Sequence, residues 1–397
     1  MGKIKKVVFF LQAHFNRRDY DRFGVRTLIE NGFEVEVWDF TAFIANDEYQ
    51  KIRPPDPIDW ERHFSFKTKN DALSAISDLE RSVFVIPVIH YNLNTYAIFR
   101  LLSKKKIFYS SSILSCIVPN SFTPKERFLN KLRRSKIRNL PDRIFRRIPF
   151  GFFGVRSANV ILAPAEKYSI SNLLVNDKSN VLWLHSLDYD RYLSMKDSPV
   201  SHDIRMGVFV DQYLPFHPDA VYIKGTLVET TSEEYYPLLR NFFDFLEHKY
   251  EVRIVIAAHP RSKYEEHPDL FGQRDIIYGK TAELIRQSGF ILLHNSIAIN
   301  YAILFKRPVI FITTDEINNS FKHPCAEGPS VEWLASFFGK KAYNLNNEMD
   351  INFENEMLID KEAYRSYKNS YIKKYGSQER PYWEVVSDYI KALEWQN

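Results

Sequence analysis

Residues 253–313 read RIVIAAHPRSKYEEHPDLFGQRDIIYGKTAELIRQSGFILLHNSIAINYAILFKRPVIFIT, and this stretch decides the fold. Its apolar runs Ile254–Ala258, Phe290–Leu293 and Val309–Ile312 are too short for helices. They are also too continuous for a half-exposed sheet, so they predict strands that are buried on both faces. A short strand around Ile276 is expected before the second run. Strands and intervening polar segments together predict a doubly wound α/β sheet.

The segments between the long strands have apolar side chains at helical spacing. Thr281 and Ser296 stand where N-caps are expected, just ahead of each periodic segment. The predicted apolar faces comprise Leu284, Ile285 and Ser288 in the first helix and Ile297, Tyr301 and Leu304 in the second.

Polar residues follow each of these strands. In doubly wound sheets ligands bind beyond the carboxyl ends of the strands, so these residues are expected to converge on one rim. Asn295 and Ser296 also open a helix, where free backbone N–H groups favour an anion. The pattern predicts a site for a nucleotide mono- or diphosphate. The rim residues are His259, His294, Asn295, Ser296, Thr313, Thr314 and Asp315.

Length and composition limit the possible classes of protein. At 397 residues the chain suits two domains, and 45% hydrophobic with 15% aromatic residues is a globular composition. Cys116 and Cys325 are the only cysteines and have no metal-ligand neighbours, so neither a disulfide framework nor a zinc site is predicted. Without a signal-peptide cleavage site or an apolar run of roughly 20 residues, a cytoplasmic location is expected.

The N-terminal half begins with a second βαβ pattern. Val7–Ala13 and Phe33–Phe40 predict buried strands, and the helix between them carries Val25, Leu28 and Ile29. No GxGxxG follows the first strand, so a nicotinamide or flavin site is not expected. The further strands predicted in this half are Val83–Ile89, Ile107–Tyr109, Val160–Ala163 and Val181–Leu184, with a helix over Thr95–Ser103.

These patterns predict two Rossmann-like domains, over residues 1–198 and 199–379. The boundary is predicted in the polar stretch Ser194–Asp203, where the periodic pattern is weakest, ahead of a new buried strand at Met206–Val210. The closing segment 380–397 is predicted to contain a helix. Its apolar face comprises Trp383, Val386, Ile390 and Leu393.

A basic segment interrupts the first domain as an insertion over residues 120–156. Its cations alternate with apolar side chains, which is typical of an amphipathic segment on an anionic membrane surface. The alternative is a solvated insertion whose apolar face packs on its own domain. No nucleic-acid-binding module is recognisable and the net charge is only +5, so nucleic acid is not an expected partner. The basic residues are Lys125, Arg127, Lys131, Arg133, Arg134, Lys136, Arg138, Arg143, Arg146 and Arg147.

Two facing Rossmann-like domains with a polar rim in the second describe the GT-B arrangement, in which a nucleotide-sugar lies in the cleft between domains. His259-Pro260 closes a buried strand and Asn295-Ser296 opens a later helix. These features resemble the His-Pro and Ser motifs of bacterial sialyltransferases, polysialyltransferases and Kdo transferases. The segment Phe209–Gln212 is similar to the strand end at which several of these enzymes begin their second domain. The resemblance covers residues 205–314.

The resemblance implies a donor and some roles. These enzymes use CMP-activated 3-deoxy-ulosonic acids, so His259 and Ser296 are expected to bind the phosphate of CMP, and the last helix is expected to return to the first domain. The chain lacks the family's paired-carboxylate-plus-glycine motif, since Val210-Asp211-Gln212 has one carboxylate. Teichoic-acid glycerophosphotransferases also have His-Pro-like strand ends, so a UDP-, GDP- or CDP-linked donor remains an alternative.

The predicted site residues have three roles. Asp211 and His259 are predicted to be catalytic, with Asp211 as the base for an acceptor hydroxyl or as a nucleophile. Histidine and basic side chains stabilise a departing phosphate, so a reaction without metal or cofactor is predicted. The donor-binding predictions are Arg261, Lys263, Thr281, His294, Asn295 and Ser296, and the acceptor or base predictions are His14, Asp19, Asp21 and His90.

The leading hypothesis is a glycosyltransferase of bacterial surface polysaccharide synthesis, of capsule or lipopolysaccharide O-antigen. It transfers a Kdo- or sialic-acid-like sugar from a CMP-linked donor to a glycan or lipid-linked glycan, at the inner face of the membrane. The alternatives are a GT-B transferase with another nucleotide, a GT-B nucleotide-sugar epimerase, or a non-catalytic partner of a polysaccharide assembly complex. The sequence leaves inversion versus retention open.

Overall fold

The computed structural model describes residues 2–45, 56–113, 116, 118, 140–167, 174–177, 179–217, 230–321 and 329–395. Contacts within the chain divide it into two compact units. The first contains the described residues of Met1–Cys116, Ser135–Asp190 and Lys373–Asn397, and the second contains those of Ile117–Arg134 and Arg191–Ile372. The division therefore falls inside the helix Leu187–Met195, ahead of the predicted join at Ser194–Asp203.

The strands of the described residues fall at nearly all the predicted positions. They are β1 (Gly2–Lys3), β2 (Lys6–Leu11), β3 (Glu34–Asp39), β4 (His63–Ser65), β5 (Val83–Val88), β6 (Phe108–Ser112), β7 (Val160–Ala163), β8 (Asn180–Trp183), β9 (Asp203–Val210), β10 (Arg253–Ala257), β11 (Ile276–Ile277), β12 (Ser288–Leu293), β13 (Val309–Thr313), β14 (Ala342–Asn344) and β15 (Glu394–Trp395).

The helices alternate with these strands. They span Arg17–Arg22, Val25–Glu30, Thr41–Ile44, Lys69–Asp78, Tyr96–Lys105, Leu140–Phe145, Leu187–Met195, Ser232–Tyr250, Thr281–Gln287, Ile299–Phe305, Asp315–Phe321, Val331–Phe337, Phe353–Glu356, Lys361–Tyr367 and Tyr382–Lys391. None of the helices in the described ranges has the length and apolarity needed to cross a bilayer.

The first unit is built on a seven-stranded sheet in the order β4-β3-β2-β5-β6-β7-β8. All its pairs are parallel. Strand β2 is buried on both faces, with Val7, Phe9 and Leu11 in one core cluster and Val8 and Phe10 in the other. This alternation is the period of two expected of a strand with packed layers on both sides.

The helix Tyr382–Lys391 belongs to the core of the first unit. Trp383 packs edge-on against Phe9, and its indole N–H donates to the carbonyl of Arg22 over 2.7 Å. Gly24 has φ +56, and a Cβ there would lie 2.2 Å from the Trp383 ring, so only glycine fits this position. Leu393, predicted on this helical face, lies beyond the end of the helix.

The second unit is built on a six-stranded parallel sheet in the order β11-β10-β9-β12-β13-β14. In chain order this is 3-2-1-4-5-6, the order of a dinucleotide-binding Rossmann sheet. Its first strand passes closely beside its neighbours, since a Cβ on Gly207 would lie 2.4 Å from the ring of Phe290. The prediction of an α/β fold with two Rossmann-like domains is confirmed.

Some local predictions are wrong, for identifiable reasons. The N-cap of the helix Thr281–Gln287 is Lys280, whose carbonyl accepts the first helical hydrogen bond. Ser288 is the first residue of β12 and not the last of that helix. The turn at Ser296–Ala298 makes hydrogen bonds three residues apart, so the regular α-helix begins only at Ile299 and the exposed Ile297 precedes it.

Candidate functional site

The carboxyl ends of the second sheet lie at one edge because its strands are parallel. Val210 and Ile277 both pair with Ala257, and Leu293 pairs with Phe311. The strand order changes direction at β9, which makes this part of the edge the topological switch point where ligands bind in such sheets. The residues brought to this edge are Asp211, Gln212, His259, His294, Asn295, Ser296, Thr313 and Thr314.

Asp211 follows β9 and is 3% exposed. Its Oδ1 accepts the N–H of Tyr213 over 2.9 Å, while its Oδ2 accepts the Tyr264 hydroxyl over 2.8 Å and the N–H of His259 over 3.2 Å. Burial raises the pKa of Asp211 to about 6, although these hydrogen bonds act in the opposite direction. The carboxylate therefore ties the loop after β9 to the loop after β10.

His259 begins the loop after β10. Its Nδ1 accepts the N–H of Arg261 over 3.2 Å, and its carbonyl accepts both the N–H and the hydroxyl of Ser262. An accepting Nδ1 places the hydrogen of the neutral ring on Nε2. Lys263, predicted to bind the donor, is exposed, and its Nζ lies 3.2 Å from Glu266 Oε1.

His294 occupies a different environment, in the core. Its ring is completely buried, with Nδ1 donating to the carbonyl of Ile312 over 2.6 Å and Nε2 accepting the Tyr235 hydroxyl over 2.7 Å. Burial lowers the pKa of His294 to about 4, so the ring is neutral at pH 7. In this geometry both ring nitrogens make hydrogen bonds inside the protein. Neither is left for the donor binding that was predicted for His294.

Asn295 and Gln212 form a short hydrogen-bond chain at the same edge. The Asn295 amide donates to the carbonyl of Pro329 over 3.1 Å, so its own oxygen faces Gln212, whose amide nitrogen donates to it over 3.2 Å. This order fixes the orientation of both amides, because a carbonyl only accepts. The remaining Gln212 oxygen is buried and accepts no hydrogen bond from the described residues.

The two remaining donor-binding predictions lie at helix starts. The hydroxyl of Ser296 accepts the N–H of Ala298 over 3.2 Å, which ties it to the turn between β12 and the helix Ile299–Phe305. Thr281 begins the helix after β11, the outermost strand of the sheet, and β10 separates that strand from β9. Ser296 is thus beside the switch point, and Thr281 is at the margin of the same edge.

The carboxyl edge of the first sheet carries a second cluster, around Asp39. This buried carboxylate ends β3, and its Oδ2 lies 3.5 Å from His14 Nδ1 and 3.8 Å from His63 Nε2. Its Oδ1 accepts the N–H of Thr41 over 2.8 Å. Burial opposes the charge, but His63, Thr41 and His14 outweigh it and hold the pKa of Asp39 below its ordinary value.

The other acceptor or base predictions lie near this cluster or on the surface. His90 follows β5, and its N–H donates to the Gln12 side chain over 3.1 Å, which places it at the same edge as His14. Asp19 and Asp21 both lie on the short helix Arg17–Arg22, where Asp21 is exposed. The sequence thus identified one member of the Asp39 cluster, His14.

Several residues of these sites were not predicted. Tyr264 and Tyr235 are buried aromatic residues far along the chain from the side chains they contact, so no local pattern marks them. Asp39 had a usable signal, because it is a carboxylate within the predicted buried strand Phe33–Phe40. His217 lies beside His259, with ring centroids 4.8 Å apart, and no pattern in the sequence marked it.

The basic segment lies mostly outside the described residues, including every predicted cation from Lys125 to Arg138. In the described part Phe145 is buried in the first unit, and Arg146 pairs with Asp142 over 2.7 Å. Exposed apolar side chains lie on the same short stretch, with Phe152 83% exposed. They are Ile144, Ile148 and Phe152.

Neither a protein-family model nor a curated protein sequence matches this chain. It is similar to solved structures at low identity. UDP-GlcNAc 2-epimerase of Methanocaldococcus jannaschii, in complex with UDP-GlcNAc and UDP, is 13% identical over 97% of this chain and 99% of its own, with a TM-score of 0.43. The wall teichoic acid polymerase TagF is 12% identical over 98% and 88%, with a TM-score of 0.47.

An α-glucosyltransferase in complex with UDP and DNA is 12% identical over 98% of this chain and 95% of its own, with a TM-score of 0.35. At these identities and TM-scores the similarities carry no argument about the substrate, and they give no support to a CMP-linked donor in particular. The fold assignment stands on the strand order and register of the chain itself: two parallel, doubly wound α/β units of Rossmann type.

Proposed function

We propose that this protein is a glycosyltransferase that takes a sugar from a nucleotide-linked donor, and that the second unit binds that donor. The observation that supports this most is the edge at β9, where His259 follows β10 and Asn295 and Ser296 follow β12, on either side of β9 at the switch point of a Rossmann sheet. The resemblance of these residues to the His-Pro and Ser motifs of CMP-dependent transferases makes a CMP-linked 3-deoxy-ulosonic acid the specific donor proposed.

In this proposal His259 donates from Nε2 to the phosphate of the donor and stabilises the charge that develops as the phosphate leaves. Asp211 is covered by its own hydrogen bonds, so its use as base or nucleophile requires that one of them open. His14 beside Asp39 is the second candidate base, placed in the unit proposed to bind the glycan acceptor. Turnover and donor binding are measured for Asp211→Asn and His14→Asn. The variant that loses turnover but still binds the donor identifies the residue that acts as base or nucleophile.

A donor panel tests the proposal. The purified protein is incubated with CMP-, UDP-, GDP- and CDP-linked sugars, with and without a glycan acceptor, and thermal shift and released nucleotide are measured. The expected result is stabilisation by the CMP-linked donor and nucleotide release that depends on acceptor. Stabilisation by UDP or GDP compounds alone would refute the CMP assignment, and conversion of a soluble nucleotide-sugar without acceptor would favour an epimerase.

Polymer synthesis in cells separates an enzyme from a non-catalytic partner of polysaccharide assembly. Under the proposal, a folded His259→Ala variant abolishes synthesis of the surface polysaccharide, because the leaving phosphate loses its hydrogen-bond donor. Unchanged synthesis would instead favour a role without catalysis.

We also propose that the insertion 120–156 holds the protein at the anionic inner face of the membrane. The alternation of cations with apolar residues supports this, as do the exposed Ile148 and Phe152 beside Arg147. Each cation near such a surface contributes about 1 kcal/mol to binding, and salt screens this attraction within roughly 8 Å.

Liposome co-sedimentation tests this proposal. The protein is expected to sediment with anionic but not with neutral liposomes, and added salt is expected to release it. Phe152→Ser is expected to weaken this binding, while Tyr375→Ser, at an equally exposed aromatic side chain, is the control.

A further inference from the structure

Two imidazole rings face each other at the switch-point edge of the second sheet. His217 lies in the segment that follows β9, His259 lies in the segment that follows β10, and both side chains are partly buried. Their ring centroids are 4.8 Å apart with the planes inclined by 59°. At this distance the two rings are direct neighbours, so a group bound by one ring lies close to the other.

One buried carboxylate fixes the two loops relative to each other. Asp211 binds the N–H of Tyr213 in the first loop and the N–H of His259 in the second. Tyr213 has φ +54, a left-handed conformation that is unfavourable for a residue other than glycine or asparagine. The turn that returns the chain from β9 toward His259 is therefore held by the surrounding contacts.

Aromatic packing adds a second connection between the same loops. The Phe216 ring stacks on His267 at 4.6 Å with the planes inclined by only 3°, and Tyr213 packs edge-on against Tyr264 at 5.3 Å. In each of these pairs one ring comes from each loop. His217 directly follows Phe216, so its position beside His259 is built into the fold of this edge.

We infer that His217 and His259 together form a two-imidazole site for the phosphate of the nucleotide. The inference rests on the function proposed above and adds a residue to that site. His259 has its donor on Nε2, because its Nδ1 accepts from Arg261. Hydrogen bonds from imidazole to a phosphate are charge-assisted and short, and a phosphate has enough oxygens to accept from both rings. Asp211 acts as a positioning residue, since it holds both loops.

The test compares phosphate-bearing and phosphate-free ligands by calorimetry. CMP, UDP, cytidine, uridine and inorganic pyrophosphate are titrated into the wild type and into His217→Phe, His217→Ala and His259→Ala variants. The Phe variant keeps a ring against His259 and removes its hydrogen-bond donors, so it covers the case in which the Ala variant misfolds. His248→Asn, on the exposed surface of the helix Ser232–Tyr250, is the matched control.

Both His217 variants are expected to bind CMP or UDP about 10- to 100-fold more weakly, as loss of one hydrogen bond to a charged group predicts, with nucleoside binding unchanged. Wild-type affinity for nucleotides in a folded His217→Phe variant would overturn the inference and leave the proposed function intact. A wild type that binds pyrophosphate but no nucleotide would refute the proposed function, and the effect of His217 on pyrophosphate would then decide the inference. A wild type that binds neither nucleotides nor pyrophosphate would overturn both the inference and the proposed function.

Discussion

Acidification tests the electrostatics of the second unit through two buried groups with opposite effects. The first is His294, whose pKa is lowered by burial from 6.5 to about 4. The unfolded chain takes up a proton near pH 6.5, but the folded chain does so only near pH 4. The stability due to the neutral ring is therefore present above pH 6.5 and lost as the pH falls to 4. The difference in pKa corresponds to about 3 kcal/mol.

The second group is Asp211, whose pKa is raised by burial from 3.8 to about 6. Here the folded chain binds a proton more readily than the unfolded chain. The contribution of Asp211 is favourable below pH 3.8 and is lost as the pH rises through about 6, again by about 3 kcal/mol. Between pH 4 and 6 the two contributions to the free energy of unfolding nearly cancel. The stability of the wild type therefore shows neither of them.

Single variants reveal each group. Removing the titration of His294 with His294→Gln leaves Asp211 unopposed, so stability relative to the wild type increases by about 3 kcal/mol as the pH falls from 6.5 to 4. For Asp211→Asn, stability relative to the wild type decreases as the pH falls, which is the opposite trend. Each variant also carries a constant cost from altered hydrogen bonds, which does not depend on pH and is subtracted.

Urea unfolding at several pH values between 4 and 7, followed by fluorescence, gives these differences. Titration of all other groups is common to wild type and variant and cancels in the comparison. The expected signature is two curves of opposite slope and a double variant that follows the wild type. A difference between wild type and His294→Gln that stays constant over this range would refute the assignment of a buried, neutral His294.

Three further predictions concern particular contacts. Trp383→Ala is expected to destabilise the first unit by about 3–5 kcal/mol in thermal unfolding, because it empties a core site and leaves the carbonyl of Arg22 without its indole donor. Trp333→Ala, at a side chain that is 44% exposed, is expected to cost less. Gly207→Ala is expected to cost about 1–3 kcal/mol in urea unfolding, since its Cβ meets an aromatic ring at 2.4 Å. Tyr264→Phe removes a hydrogen bond that lowers the pKa of Asp211, so the pH window of that group should move upward; an unchanged window would contradict the contact.

The fold was largely predictable because its strands are uninterrupted apolar runs. Val160–Ala163 matches its prediction at both ends, and the other predicted strands agree to within a few residues. Such runs report burial on two faces, which an ordinary parallel sheet imposes on its central strands. The helix starts were less accurate, because Thr281 and Ser296 have cap-forming side chains at places where the backbone begins the helix differently.

The chemistry of individual rim residues was harder to predict. His294 and Asn295 are neighbours at the end of β12, but the former is fully buried and the latter is partly exposed. Side chains alternate direction at a strand end, and one residue of register decides which side chain reaches the edge. The partners of His294 and Asp211 come from distant parts of the chain, so their protonation states depend on packing that no local spacing records.

The place of the last helix sets an order of assembly during synthesis. The core of the first unit includes Tyr382, Trp383 and Ile390, and β1 pairs with β15. A ribosome has therefore made the entire second unit, which ends at Ile372, before it releases the residues that complete the first. The first unit to begin is the last to finish, and until then its sheet exposes the surface around Phe9 and Gly24 that the helix later covers. Expression of residues 1–190 alone would leave that surface open permanently.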